Sequence, residues 1–203
     1  SSYARSFDSD FIIIPQNGIE LAHVDVNAEN ELDTYFLSSI DGFGIEELFY
    51  NGGAVEDDGR LASARKVKQT KQILVADYTD TELGYQDALS KNANEGFLSF
   101  PRRENNYDYL YIPSEIQNEN SDDIQSLSQA KNYLYLISTG NYSDKSSFLG
   151  AIASSNFDVV IIDLFFGDDA FTSAEIQALK TKANGGKRLV IAYMSIGSAE
   201  KYR

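Results

Sequence analysis

The amino-acid sequence predicts an α/β protein built on parallel strands, and three observations predict it. Short apolar runs rich in β-branched and aromatic residues recur along the chain, bounded by polar turns. Amphipathic stretches of helical length separate several of them. The runs are near-continuously apolar, as strands covered on both faces are. Repeated strand–helix alternation of this kind builds either an α/β barrel or a doubly wound sheet.

In chain order, the predicted strands are Phe11–Pro15, Gly42–Phe49, Gln72–Tyr78, Gly96–Phe100, Tyr133–Ser138, Asp158–Phe165 and Leu189–Ser195. Helices are predicted at Leu32–Ser39, Gly59–Thr70, Thr81–Ala93 and Asp144–Ser154. The clearest helix is FTSAEIQALKTKANGG, residues 171–186. Thr172 and Glu175 form a capping box that satisfies free N–H groups at its start. Ile176, Leu179 and Ala183 make its apolar stripe, and Asn184-Gly185-Gly186 supplies a left-handed stop. A strand on either side makes this segment a right-handed βαβ crossover. The polar stretch NNYDYLYIPSEIQNENSDD, residues 105–123, has no clean periodicity and reads as a long connection.

With 203 residues, 42% of them hydrophobic, the chain can bury one substantial core. No apolar run approaches the roughly 20 residues that a membrane-spanning helix needs. No signal-peptide pattern opens the chain, which reads as mature or cytosolic. The absence of cysteine excludes disulfides and thiolate metal sites. The single histidine, His23, argues against a histidine metal cluster or a Ser-His-Asp triad and is expected at a surface helix position. Neither Gly52-Gly53 nor Gly185-Gly186 fits a nucleotide-binding glycine pattern, so no cofactor is expected. A net charge of −14 argues against nucleic acid as a partner. It is compatible with a cationic or neutral ligand, or with solubility alone.

Parallel α/β folds place their sites beyond the carboxyl ends of the strands. The polar residues there are Gln16 and Asn17, Glu46 and Glu47, Asp77 and Tyr78, Asp163, and Tyr193 with Ser195. Asp77 shares a face with Ile73 and Val75, and Asp163 shares one with Val159 and Ile161. Carboxylates on apolar faces need partners or a ligand. Glu46 and Glu47 point to opposite faces of an ideal strand, so one of them at most enters a barrel, and Glu47 could be a surface residue. Several acids on one rim is the arrangement glycosidases use.

The motifs FDVVIIDLFF and GGKRLVIAYMSIGSAEKYR resemble the N-terminal half of the endo-α-1,4-polygalactosaminidase-like glycoside hydrolase family. FIIIPQNG, DGFGIEELFY and KQILVADY resemble stretches of its C-terminal half. The resemblance implies one (β/α)8 TIM-barrel-like domain over residues 1–203, with about seven of eight strands present and the chain permuted or incomplete. Residues 1–112 would correspond to the family's C-terminal half and 124–203 to its N-terminal half. The family's catalytic aspartate on the remaining strand has no counterpart here, and Ser198 stands where the family usually has glutamate.

Carried over, the resemblance implies Glu46 as general acid/base, with Gln16, Asn17, Asp77, Tyr78, Asp163, Tyr193 and Ser195 lining a sugar cleft. The expected partner is an oligo- or polysaccharide, and a galactosamine-rich, cationic polymer would suit the negative charge. Family members are often secreted, which implies a secreted or extracytoplasmic setting. A non-catalytic carbohydrate-binding barrel and a doubly wound binding domain stand as alternatives.

Overall fold

The structure is a computed structural model that describes residues 2–105 and 107–195. Ser198 and the Ile196-Gly197 loop that follows the last predicted strand lie outside the described residues. The described chain divides into two compact units. One holds the residues up to Tyr107 together with Leu127–Ala130, and the other holds Asp108–Ser126 and the residues from Lys131 onward.

The first unit opens with α1 (Ser2–Phe7) and α2 (Thr34–Ser38). It continues through β1 (Gly42–Ala54), α3 (Asp58–Lys68), β2 (Gln72–Thr79), α4 (Glu82–Glu95) and β3 (Leu98–Ser99). The strands form one parallel sheet in the order β1-β2-β3. Asp33, Asp57 and Thr81 cap α2, α3 and α4 by accepting backbone N–H groups that a helix start leaves unpaired. Phe43 and Ile45 of β1 and Ile73 and Val75 of β2 are buried in one core with Ala64 and Val67 of α3 and Ala88 of α4. Each large side chain buried there contributes roughly 1.5–3 kcal/mol.

Phe11–Pro15, expected to be a strand, is not one. Its carbonyls do lie along β1, with Ile13 O accepting from Asp41 N at 2.9 Å and Pro15 O from Gly44 N at 2.8 Å. The donors fail: Ile13 N is taken by the Asp41 carboxylate at 2.8 Å, and Pro15 has no N–H to give. What remains is a single parallel bridge between Gln16 and Gly44. The Gln16 side chain lies over Gly44, where a Cβ would stand 1.9 Å from its Oε1 and would oblige that side chain to turn aside. His23 also departs from expectation. It is 1% exposed, with Nδ1 2.8 Å from Asn30 O and Nε2 3.1 Å from Ser63 Oγ, a buried structural position.

The second unit runs through β4 (Tyr133–Leu136), α5 (Lys145–Ala153), β5 (Val159–Ile162), β6 (Phe165–Phe166), β7 (Asp169–Ala170), α6 (Ser173–Leu179) and β8 (Leu189–Ala192). Its parallel sheet has the order β4-β5-β8, so β5 and β8 pair in parallel with α6 between them. β6 and β7 form a separate antiparallel hairpin. The Thr172–Glu175 capping box starts α6 as its residues dictate. The helix stops at Leu179, short of the predicted Gly186, and the stripe breaks with it: Lys182 is buried and Ala183 exposed. Residues 105–123 hold no helix or strand among the described residues.

The barrel expected from the resemblance is not what the chain forms. Among the described residues the strands fall into sheets of three, three and two, and none closes. Closure needs every strand to pair on both sides with a consistent stagger, whereas β3, β4 and β8 each have one ladder neighbour. Strand–helix alternation specifies local parallel pairing and says nothing about closure. The fold is mixed α/β with small open sheets.

Candidate functional site

Midway along β1, after Glu46, the strand leaves regular geometry. Residues up to Glu46 pair in step with β2, Glu46 opposite Ala76, and the next pair is Asn51 with Tyr78. β1 thus accommodates three more residues than β2 over this interval, and Glu47 within the bulge has φ +55°. A left-handed glutamate costs energy and persists where its surroundings hold it. Here they do.

Asp77 fixes one side of the bulge. Its Oδ1 accepts from Phe49 N at 2.9 Å and Tyr50 N at 3.1 Å, and its Oδ2 accepts from Asn92 of α4 at 2.9 Å. Asp77 is fully buried, and burial pushes its carboxyl above the usual range while these donors pull the other way. Arg60 of α3 fixes the other side, donating from Nη2 to the carbonyls of Glu46 (3.2 Å) and Glu47 (2.5 Å).

Two side-chain clamps then set the carboxylates. Asn17, in the left-handed region at φ +61°, accepts from Glu46 N at 2.9 Å and donates from Nδ2 to Glu46 Oε2 at 2.7 Å. Glu47 Oε1 accepts from Arg102 Nη2 and from the Tyr107 hydroxyl, each at 3.0 Å. The ion pair is nearly closed to water, with side chains 3% and 15% exposed for Arg102 and Glu47. The Arg102 guanidinium also lies over the rings of Tyr78 at 5.4 Å and Tyr107 at 4.8 Å. The Glu47 bond raises the Tyr107 hydroxyl above its ordinary pKa, with burial and the charges of Glu47 and Glu46 adding to it and Arg102 opposing. Both carboxylates are thus felt at one phenol, although strand alternation alone would have separated them.

The structure therefore brings Asn17 and Glu46 into direct contact and stacks Tyr78 against Arg102 beside Glu47. Gln16 is exposed at its bridge to Gly44. Asp77 lies beneath, bonded to α4, and offers no carboxylate to solvent. Asp163, Tyr193 and Ser195 belong to the second unit. There Asp163 accepts from Phe165 N at 3.1 Å, and the Tyr193 ring lies 6.2 Å from that of Tyr135. Sequence reasoning missed Arg60, Arg102 and Tyr107. The one available signal was the pair of arginines in FPRREN following a predicted strand end. Among the described residues no group of three or more acidic or histidine side chains is placed to hold a metal ion.

Fold and site define a mixed α/β protein with a carboxylate-rich bulge within a parallel strand. An uncharacterized protein of Methanocaldococcus jannaschii is similar to it, 31% identical over 113 residues. That match covers 49% of this chain and 31% of the archaeal protein, so the chain spans about a third of that relative's length. No family model matches, and no solved structure does. No helix among the described residues is long and apolar enough to cross a membrane.

Proposed function

We propose that the chain acts on carbohydrate as a glycoside hydrolase, cleaving α-1,4-linked galactosamine-containing polymer, with Glu46 as the general acid/base. The observation that carries this reading is the Asn17–Glu46 clamp, in which one amide side chain holds both the backbone and the carboxylate of a strand-end glutamate. Such orientation is what proton transfer requires, since the group must meet the glycosidic oxygen at hydrogen-bond distance. Glu46 would give its proton to that oxygen as the C–O bond breaks and take one from the water that completes hydrolysis. Adjacent Glu47, Tyr78 and Tyr107 supply the acceptor and aromatic groups that sugar sites use. The net charge of −14 favours an amino sugar over an acidic one. An extracytoplasmic setting would accompany a polymeric substrate of this kind.

A second reading is a non-catalytic carbohydrate-binding protein. What favours it is the engagement of Glu47: the carboxylate next to Glu46 is already tied to Arg102 and Tyr107. Substituting Glu46→Gln separates the two. Loss of reducing-end release by about 10²–10⁴-fold with binding retained supports the hydrolase. Binding by the wild type without any release supports the second reading. Wild-type release left unchanged in the variant overturns the assignment of Glu46.

A further inference from the structure

We infer that Tyr107 is a preset stacking platform for a pyranose ring at the β1 bulge, an inference that rests on the carbohydrate reading above. A tyrosine 56% exposed on a loop would ordinarily sample several rotamers. Tyr107 is held at two points. Its hydroxyl donates to Glu47 Oε1 at 3.0 Å, and one ring face lies against the Arg102 guanidinium, 4.8 Å from carbon to centroid.

Both anchors are themselves fixed. Arg102 is 5% exposed, lies over Tyr78 at 5.4 Å and donates to the carbonyl of Glu104. Glu47 is locked by the bulge and by Arg60 on its carbonyl. With one face on the guanidinium and more than half the residue still exposed, the opposite face is what Tyr107 offers to solvent.

An aromatic face immobilised before binding loses little conformational entropy when a ligand covers it. Its neighbours select the ligand. The charges of Glu47 and Glu46 act on the phenol, with the Arg102 guanidinium opposing them, so polar groups of either sign border the ring. A pyranose whose C–H groups gather on one side can pack that side on the ring while its hydroxyls or an ammonium group reach the carboxylates. The chemical class is therefore a neutral or amino sugar with an apolar face. Shielding of the buried ion pair would explain the hydroxyl bond, but it does not require a face left open.

The test measures binding of α-1,4-linked galactosamine oligomers by calorimetry in the Glu46→Gln protein, where turnover does not interfere. Tyr107→Ala should weaken binding roughly tenfold, the scale of one lost aromatic contact. Tyr107→Trp should keep affinity within a few-fold, and Tyr107→Phe should fall between, since it keeps the ring and loses the hydroxyl anchor. A thermal melt of each variant separates shielding from stacking, because a shielding role lowers the melting temperature without ranking affinity by ring. Affinity unchanged in Tyr107→Ala overturns the platform and leaves the carbohydrate reading standing. No binding of any oligomer by either the wild type or Glu46→Gln protein overturns both.

Discussion

Each unit has a buried ion pair at a sheet end, and the two are built in opposite ways. In the second unit Lys182 Nζ lies 2.6 Å from Asp158 Oδ1 with both side chains at 0% exposure. Asp158 immediately precedes β5, at the amino end of its strand. Its carboxylate also accepts from Lys131 N at 2.8 Å and from Asn120 Nδ2, while Lys182 donates to Asn120 O and Oδ1. Arg188, just before β8, is 2% exposed and donates to Ile152 O, Ser155 O and Thr181 O; burial lowers it to about 10. Gly186 completes the arrangement, since a Cβ there would meet Ser121 O at 2.6 Å. The long polar connection is thus stitched to the strand starts by a buried hydrogen-bonded network.

In the first unit the pair of Arg102 and Glu47 stands at a bulge midway along β1, on a left-handed residue, below an exposed tyrosine and beside a second carboxylate. Closure to water and anchoring on backbone groups mark the Asp158 network as structural. Strain held in place by Asn17, Arg60, Asp77 and Arg102 is the reason the proposed function is placed at the β1 bulge.

The largest expected effect comes from breaking the structural pair. Asp158→Ala leaves Lys182 charged, buried and without its carboxylate, at a cost of roughly 3–5 kcal/mol. Denaturant unfolding should register that loss. Replacing both partners by apolar residues of similar volume should recover most of it, because the desolvation cost goes with the charges. Recovery failing in the double variant would mean that the network does more than satisfy itself.

A smaller effect is expected at Asp77, beneath the bulge. Asp77→Asn turns an amide N–H₂ towards Asn92 Nδ2 and should cost roughly 1–3 kcal/mol. Its pH dependence follows from burial. The folded carboxyl holds its proton to a higher pH than the unfolded one, whose ordinary value is 3.8. Between those two values the folded state binds more protons, so the stability contributed by this group falls as pH rises. The stability gap between wild type and Asp77→Asn should therefore narrow on raising the pH through that window. A gap that widens would show that the donors from Phe49, Tyr50 and Asn92 outweigh burial.

Much of the fold was legible in the residues. Apolar runs located β2, β4, β5 and β8, and the Thr172–Glu175 capping box located the start of α6. Helix ends were less legible: α6 stops where Lys182 turns inward to Asp158, a partner that local pattern does not show. Phe11–Pro15 has strand composition, but its donors are missing or taken by Asp41. At the site, Glu46 and Asn17 were legible as strand-end polar residues. The role of Glu47 was not, because alternation assumes regular backbone and φ +55° breaks it. Arg102 lies 55 residues away in sequence, beyond any local signal.

Amide chemical shifts followed during titration with α-1,4-linked galactosamine oligomers test the account most directly. It predicts shifts concentrated at Asn17, Glu46, Glu47, Arg102 and Tyr107, with Lys131, Asp158 and Arg188 unmoved. Saturable shifts confined to the Asp158 network, or no shifts at all, would contradict it.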